Sequence, residues 1–272
     1  MPISCPLFIR NLTQPEFDER DAVVMRCAYA AQNALGRLCD ERVYENDLAL
    51  RLRAEGFASV HTQVPATVTH NSFEKVYRLD LIADEALYEL KTVAGFVPQH
   101  DAQALHYAML MGVNHGKLLN FRTGRVQGRL CFNVFLRAER RPVFWDMDRW
   151  RPLTPQCDGL KRRTQALIED WGACLDFRLY EEALVHLCGG EAVCGRRVPV
   201  MREGVELGTH AVKCHGAEAF FLVTAFTREL VSQRSHIARL LELTGLRGVQ
   251  WVNLNRRTAQ FITIDRRMGT SE

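Results

Sequence analysis

A chain that repeats itself must fold either as similar units or as a stacked array, and this chain repeats once. Tyr44, in Val43-Tyr44-Glu45-Asn46-Asp47-Leu48, is matched 136 positions later by Tyr180, in Leu179-Tyr180-Glu181-Glu182-Ala183-Leu184. Val64-Pro65 returns as Val198-Pro199 after 134 positions, and Leu90-Lys91-Thr92 as Leu222-Val223-Thr224 after 132. Gly112 through Asn120 returns as Gly245 through Asn253 after 133. Four anchors in one order, with a drift of only a few positions, point to a tandem duplication. Each copy then has about 130 residues, an ordinary domain size.

The expected organisation is a first domain over residues 1–140, a linker over 141–159 and a second domain over 160–272. The linker rests on Pro142, Pro152 and Pro155, which break regular structure, with Trp145 and Trp150 among them to pack it down.

Composition narrows the class. Hydrophobic residues are 47% and charged residues 25% of the 272, which excludes disordered, collagen-like and low-complexity chains. No stretch reaches about 18 apolar residues without a charge, so no membrane span is expected. Residues 1–10 lack a basic start followed by a long apolar run, so a cytoplasmic protein is expected. The nine cysteines are odd in number and contain no CxxC pair. They read as reduced, buried thiols, in preference to a zinc set of Cys188, Cys194, Cys214 and His215. The net charge of +3 lies wholly after residue 140. Arg196, Arg197, Arg202, Lys213, Arg228, Arg234, Arg239, Arg247, Arg256 and Arg257 are spread there, and they read as solvated surface ahead of a phosphate-binding face.

In the first copy, apolar spacing predicts helices over 16–35, 41–55 and 98–111. Asp40 is a fitting N-cap for the second helix and Gly56 a fitting stop. Strands are expected over 61–69, 76–83, 86–93, 117–121 and 130–136, with Asp84-Glu85 turning a hairpin. Helices alternating with strands in this way make an α/β plan with a mixed sheet.

The hairpin carries the chemistry. Side chains alternate faces along a strand, so Arg78 and Asp80 share one face, as do Glu89 and Lys91. A two-residue turn at Asp84-Glu85 sets Asp80 opposite Glu89. Two opposed carboxylates repel, and a hard divalent cation relieves the repulsion. Oxygen ligands favour Mg2+ or Mn2+ over zinc. Lys91 adds a cation able to hold a water or a phosphate oxygen. The set suits phosphodiester hydrolysis, although on spacing alone a solvated surface hairpin is the commoner reading.

Further marks stand in order along the first copy: Gly36, Glu41-Arg-Val-Tyr44, Gln63-Val-Pro65, Arg78-Leu-Asp80, Glu89-Leu-Lys91, Gln103 with Tyr107, and Leu118-Leu-Asn120-Phe121. Together, over about residues 17–130, they resemble the GxxExxY-type proteins of the PD-(D/E)XK nuclease superfamily. The resemblance implies a restriction-endonuclease-like fold, a mixed central sheet flanked by helices, and the duplication extends this to two tandem domains; the duplication alone suggests an internal pseudo-dimer with no need of a homo-oligomer. It implies that Asp80, Glu89 and Glu41 are Mg2+ or Mn2+ ligands and that Lys91 is the catalytic lysine. Gln103 and Tyr107, four apart on one helical face, resemble a pair that borders the site in exonuclease-like relatives and are read as substrate-binding. The implied partner is nucleic acid, DNA ahead of RNA. The motif departs from the family at Leu38, where the family has glycine, and at Leu79, where the superfamily's name has proline.

The second copy lacks these groups. By the local offsets, Val212 stands for Asp80, Phe221 for Glu89, Val223 for Lys91, Phe177 for Glu41 and His236 for Gln103. The expected activity is therefore metal-dependent phosphodiester hydrolysis by the first domain, with the second as a structural or substrate-binding partner. The alternatives are a non-catalytic nucleic-acid-binding or scaffold protein of nuclease ancestry, and a regulatory or toxin-related partner protein.

Overall fold

The structure, a computed structural model, describes residues 2–216 and 219–266. The chain forms two compact units. The first takes in the residues up to Thr69 and Glu74–Glu139; the second takes in His70–Phe73 and the chain from Arg140 onward. Among the described residues, no helix is long and apolar enough to cross a membrane.

The first unit runs β1 (Ile3–Ser4), α1 (Gln14–Leu35), α2 (Glu41–Ala54), β2 (Val60–His70), β3 (Phe73–Ala83), β4 (Ala86–Lys91), α3 (Pro98–Met111), β5 (His115–Asn120), β6 (Gln127–Phe132) and the short α4 (Arg137–Arg140). Its six strands lie in the order of the chain. β3 and β4 are antiparallel, β4 and β5 parallel across the α3 crossover, and β5 and β6 antiparallel. The sheet is mixed, as the alternation of helices and strands predicts.

Local chemistry sets the boundaries. The Thr13 amide and hydroxyl both donate to Glu16, at 2.8 Å each, which closes the N-terminus of α1. Pro98 opens α3 where its missing N–H costs nothing, and Gly112 closes it in the left-handed conformation. Between α1 and α2, the Tyr44 hydroxyl donates to the Gly36 carbonyl at 2.7 Å. That bond ties the second helix to the end of the first.

The two faces of the sheet are packed differently. Phe17, Val24, Tyr44 and Leu48 of α1 and α2 cover Leu81, Ala83, Tyr88, Leu90, Leu119 and Phe121. On the other face, Ala104 of α3 meets Leu118 and Cys131. Alternation then puts Asp80, Glu89 and Lys91 on the α3 face, because Leu81, Tyr88 and Leu90 are committed to the first.

The second unit runs β7 (Phe144–Arg149), α5 (Gln156–Trp171), α6 (Phe177–Leu187), α7 (Glu191–Cys194), β8 (Gly195–Arg202), β9 (Val205–Cys214), β10 (Ala219–Thr224), α8 (Leu230–Thr244), β11 (Gly248–Asn255) and β12 (Thr258–Asp265). Its sheet order is β7-β12-β11-β10-β9-β8. β8 and β9 are antiparallel, as are β9 and β10; β10 and β11 are parallel, and β11 and β12 antiparallel. The five strands β8 to β12 thus keep the order of β2 to β6. Ile237 and Leu241 of α8 pack on Val212, Trp251 and Ile262.

The linker over 141–159 needs correction. Residues 144–149 form β7, parallel to β12 at the edge of the second sheet, and α5 begins at Gln156. Pro142, Pro152 and Pro155 flank these elements and do not interrupt them. Trp150 is buried and meets Phe261 edge-on at 5.5 Å. The nine cysteines are free thiols, five of them buried.

Candidate active site

The β3–β4 hairpin turns at Asp84 and Glu85, with φ of 43° and 73°. Two left-handed residues make the tight turn whose twist matches the strands. The backbone register runs Ala83 to Ala86, Ile82 to Leu87 and Leu81 to Tyr88. At the next step the ladder changes partners. The Leu90 amide donates to the Asp80 carboxylate, Oδ2, at 2.9 Å. The two strands part there, and Asp80 and Glu89 lie at the opening.

Asp80 is held on its other oxygen as well. Gln63, on β2, donates from Nε2 to Asp80 Oδ1 at 3.2 Å and to Glu45 Oε2 at 2.7 Å. Lys91 donates from Nζ to Glu89 Oε1 at 2.6 Å. Glu89 is 3% exposed, and its second oxygen, Oε2, has no partner among the described residues. A buried, unpartnered carboxylate oxygen is costly. Burial pushes Glu89 up to about 8, and neighbouring Asp80 adds to the rise while Lys91 opposes it. Burial pulls Lys91 down, but the charges of Glu89, Glu41 and Asp80 outweigh it and the ammonium ends above its ordinary value.

Glu41 sits at the first position of α2. Burial raises its pKa; Lys91 and the Thr92 backbone lower it, and Asp80 raises it further. Its charge is therefore part of the same cluster. Gln103 donates from Nε2 to the Tyr107 hydroxyl at 3.1 Å on α3, as their four-residue spacing allows. Tyr107 is raised by burial, and it also feels Glu89, Asp80 and Lys91. The structure thus gathers Asp80, Glu89, Lys91, Glu41 and Tyr107 on one region, with Gln103 attached through Tyr107.

Gln63 and Asn120, marks of the family resemblance with no role assigned to them, and Glu45, part of a repeat anchor, also take part in this cluster. Glu45 is 1% exposed and accepts from Gln63 and, at 2.5 Å, from Arg42. Its position one turn after Glu41 was the available signal. Gln63 has φ of 52° within a strand, where side chains rarely go. Asn120, opposite Lys91 in the register, accepts from the Val93 amide at 3.1 Å and donates to the Val93 carbonyl at 2.8 Å. That clasp fixes the chain two residues beyond Lys91.

Asp80 and Glu89 are the two carboxylates chemically suited to a hard divalent cation, although among the described residues no three His, Cys, Asp or Glu side chains are grouped to hold one. Asp80 and Glu89 offer oxygens with few internal partners left, and Mg2+ commonly takes one or two carboxylates and fills its remaining positions with water. Glu41 is the third carboxylate near enough to sense both Asp80 and Lys91.

The corresponding place in the second unit is apolar, with a corrected register. β10 pairs with β9 through Phe220 to Cys214 and Phe221 to Lys213, so the next pair is Leu222 with Val212. Asn253 clasps Phe226 as Asn120 clasps Val93, and it lies opposite Thr224. Glu89 therefore corresponds to Leu222 and Lys91 to Thr224, not to Phe221 and Val223. Val212 keeps its place opposite. Matching sequence letters misplaced the strand by one because the second hairpin is one residue longer. Thr224 donates to Asn253 at 2.7 Å and accepts from Trp251 at 2.8 Å, a neutral cluster in place of the charges. The helix tie recurs too: the Tyr180 hydroxyl donates to Gly172 at 2.5 Å.

Comparison with known proteins gives one family. Residues 18–130 match the family model of the PD-(D/E)XK nuclease superfamily. No curated protein and no solved structure matches the chain.

Proposed function

Taking residues 18–130 as a PD-(D/E)XK nuclease superfamily domain, we propose that the first unit hydrolyses phosphodiester bonds of nucleic acid, DNA ahead of RNA, with Mg2+ or Mn2+. The observation that carries this reading is the open end of the β3–β4 hairpin. There Asp80 and Glu89 face each other, Lys91 is beside them, and Glu89 Oε2 lacks a partner among the described residues. When bound, the cation supplies a Lewis acid for the phosphate and lowers the pKa of a water.

The chain's own groups have the following roles. Asp80 and Glu89 hold the cation, with Glu41 as a further carboxylate on the α2 side. Lys91, which donates to Glu89 at 2.6 Å, would supply a point charge for a phosphate oxygen or the attacking water. Tyr107, oriented by Gln103, borders the phosphate on the α3 side. Asn120 keeps Lys91 in place through Val93.

The second unit we read as a duplicate that has kept the frame and lost the charges. Supporting this are the shared strand order, the Tyr-to-Gly helix ties and the Asn clasps. Its role is structural or substrate-binding, not hydrolytic.

The test is cleavage of single- and double-stranded DNA and RNA with Mg2+ or Mn2+. Asp80→Asn and Lys91→Ala should each lower the rate at least about a hundredfold, the range expected for losing electrostatic stabilisation of the transition state. Both variants should keep the wild-type circular dichroism. Cleavage at the wild-type rate by either variant removes the assignment. Metal-independent nucleic-acid binding without any cleavage favours the non-catalytic alternative.

A further inference from the structure

We infer that Gln63 and Glu45 form a positioning pair that sets the orientation of the Asp80 carboxylate. The inference rests on the reading of Asp80 as a cation ligand. Glu45 is nearly inaccessible, and both its oxygens are engaged: Oε1 accepts from Arg42 at 2.5 Å and Oε2 from Gln63 at 2.7 Å. It is an acidic group close to the site, and what it holds is the Gln63 amide. With one N–H committed to Glu45, the other is directed at Asp80 Oδ1, 3.2 Å away. The Leu90 amide holds Oδ2. Asp80 is thus gripped at both oxygens, and each keeps a lone pair for a ligand.

The backbone is arranged around this grip. Gln63 lies at φ 52° in the middle of β2, a conformation that costs a non-glycine residue about 1 kcal/mol or more. The adjacent residues of β2 are extended strand. A left-handed residue there re-aims one side chain without ending the strand, and the side chain re-aimed is the one that bridges Glu45 and Asp80. A surface glutamine would gain nothing from that strain.

The conformation also supplies the discriminating variant. Asparagine adopts left-handed φ more readily than most residues, so Gln63→Asn keeps the backbone and the amide. It is one methylene too short to reach both carboxylates. Mn2+ binding to the full chain is measured by electron paramagnetic resonance, which needs no substrate. Outer partners of metal ligands typically contribute 10- to 100-fold in affinity. Gln63→Asn and Glu45→Leu should each weaken Mn2+ binding about tenfold or more, with unchanged circular dichroism. Glu45→Gln, which retains an acceptor oxygen for Gln63, should bind close to wild type.

If Asp80→Asn loses Mn2+ but Gln63→Asn, folded, binds it as tightly as wild type, the positioning role is wrong. If the wild type shows no Mn2+ binding that depends on Asp80, the reading of Asp80 falls first and the positioning pair falls with it. Should Glu45→Leu not fold, Gln63→Asn still decides, because it leaves every carboxylate in place.

Discussion

At the scale of single residues, Glu89 sets the chemistry of the site. Its pKa is raised to about 8, first by burial and then by Asp80. Between its ordinary value and 8, the folded chain holds a proton that the unfolded chain has released. Stability is therefore greatest at low pH with respect to this group, and it is lost as pH rises through 8. The slope is at most about 1.4 kcal/mol per pH unit, the value for one proton. Glu89→Gln should abolish that decline, so that its thermal midpoint from pH 6 to 9 falls less than the wild type's. Equal slopes in the two proteins would assign the decline to another group. Asp80, Glu89 and Lys91 were legible in the sequence because alternation along a strand fixes which side chains share a face. Gln63 and Glu45 were not, since their part depends on one backbone angle that no spacing rule encodes.

At the scale of elements, the β3–β4 turn shows how the hairpin is specified. Asp84 holds its left-handed position because its carboxylate accepts the Ser59 amide at 2.7 Å. Glu85 pairs with Arg10 at 3.2 Å, between half-exposed side chains. Such a pair contributes less than about 1 kcal/mol, whereas the left-handed backbone costs about 1–2 kcal/mol. Glycine removes the backbone cost but adds about 0.5–1 kcal/mol of unfolded-state entropy. Glu85→Gly should therefore stabilise the protein slightly, by about 0.5 kcal/mol, seen as a higher urea midpoint. A lower midpoint would show that the Arg10 pair outweighs the strain. The helices with strong end signals were legible to within a residue or two, α3 from Pro98 to Gly112 above all. β7 was not legible, because a strand at a sheet edge between prolines looks like a linker until its partner strand is known.

At the scale of the molecule, the two units share a sheet order but not a charge pattern. Val212, at the place of Asp80, is 6% exposed and belongs to the core around Trp251. A carboxylate there would lie among the apolar side chains of that core. Val212→Asp should cost about 3 kcal/mol or more and should not add a second Mn2+ site. All four tryptophans lie beyond Arg140, so their fluorescence reports the second unit, and its urea midpoint should fall accordingly. A stable variant that binds a second Mn2+ would show that the loss of the site was a matter of one residue. The likeness of the two halves was expected from four anchors, but one of them, Leu90-Lys91-Thr92 with Leu222-Val223-Thr224, stood a residue out of register, which became visible only when Asn120 and Asn253 could be aligned by their clasps.

The parting of β3 from β4 has one more consequence. Where strands stay paired, an amide proton answers to the backbone opposite; at Leu90 it answers to a side chain, the Asp80 carboxylate. Any ion that draws electron density from Asp80 weakens its hold on that proton. The nitrogen shift and the solvent-exchange rate of this one amide are therefore a built-in gauge of what Asp80 is holding, readable in the intact protein without a substrate, a label or a mutation.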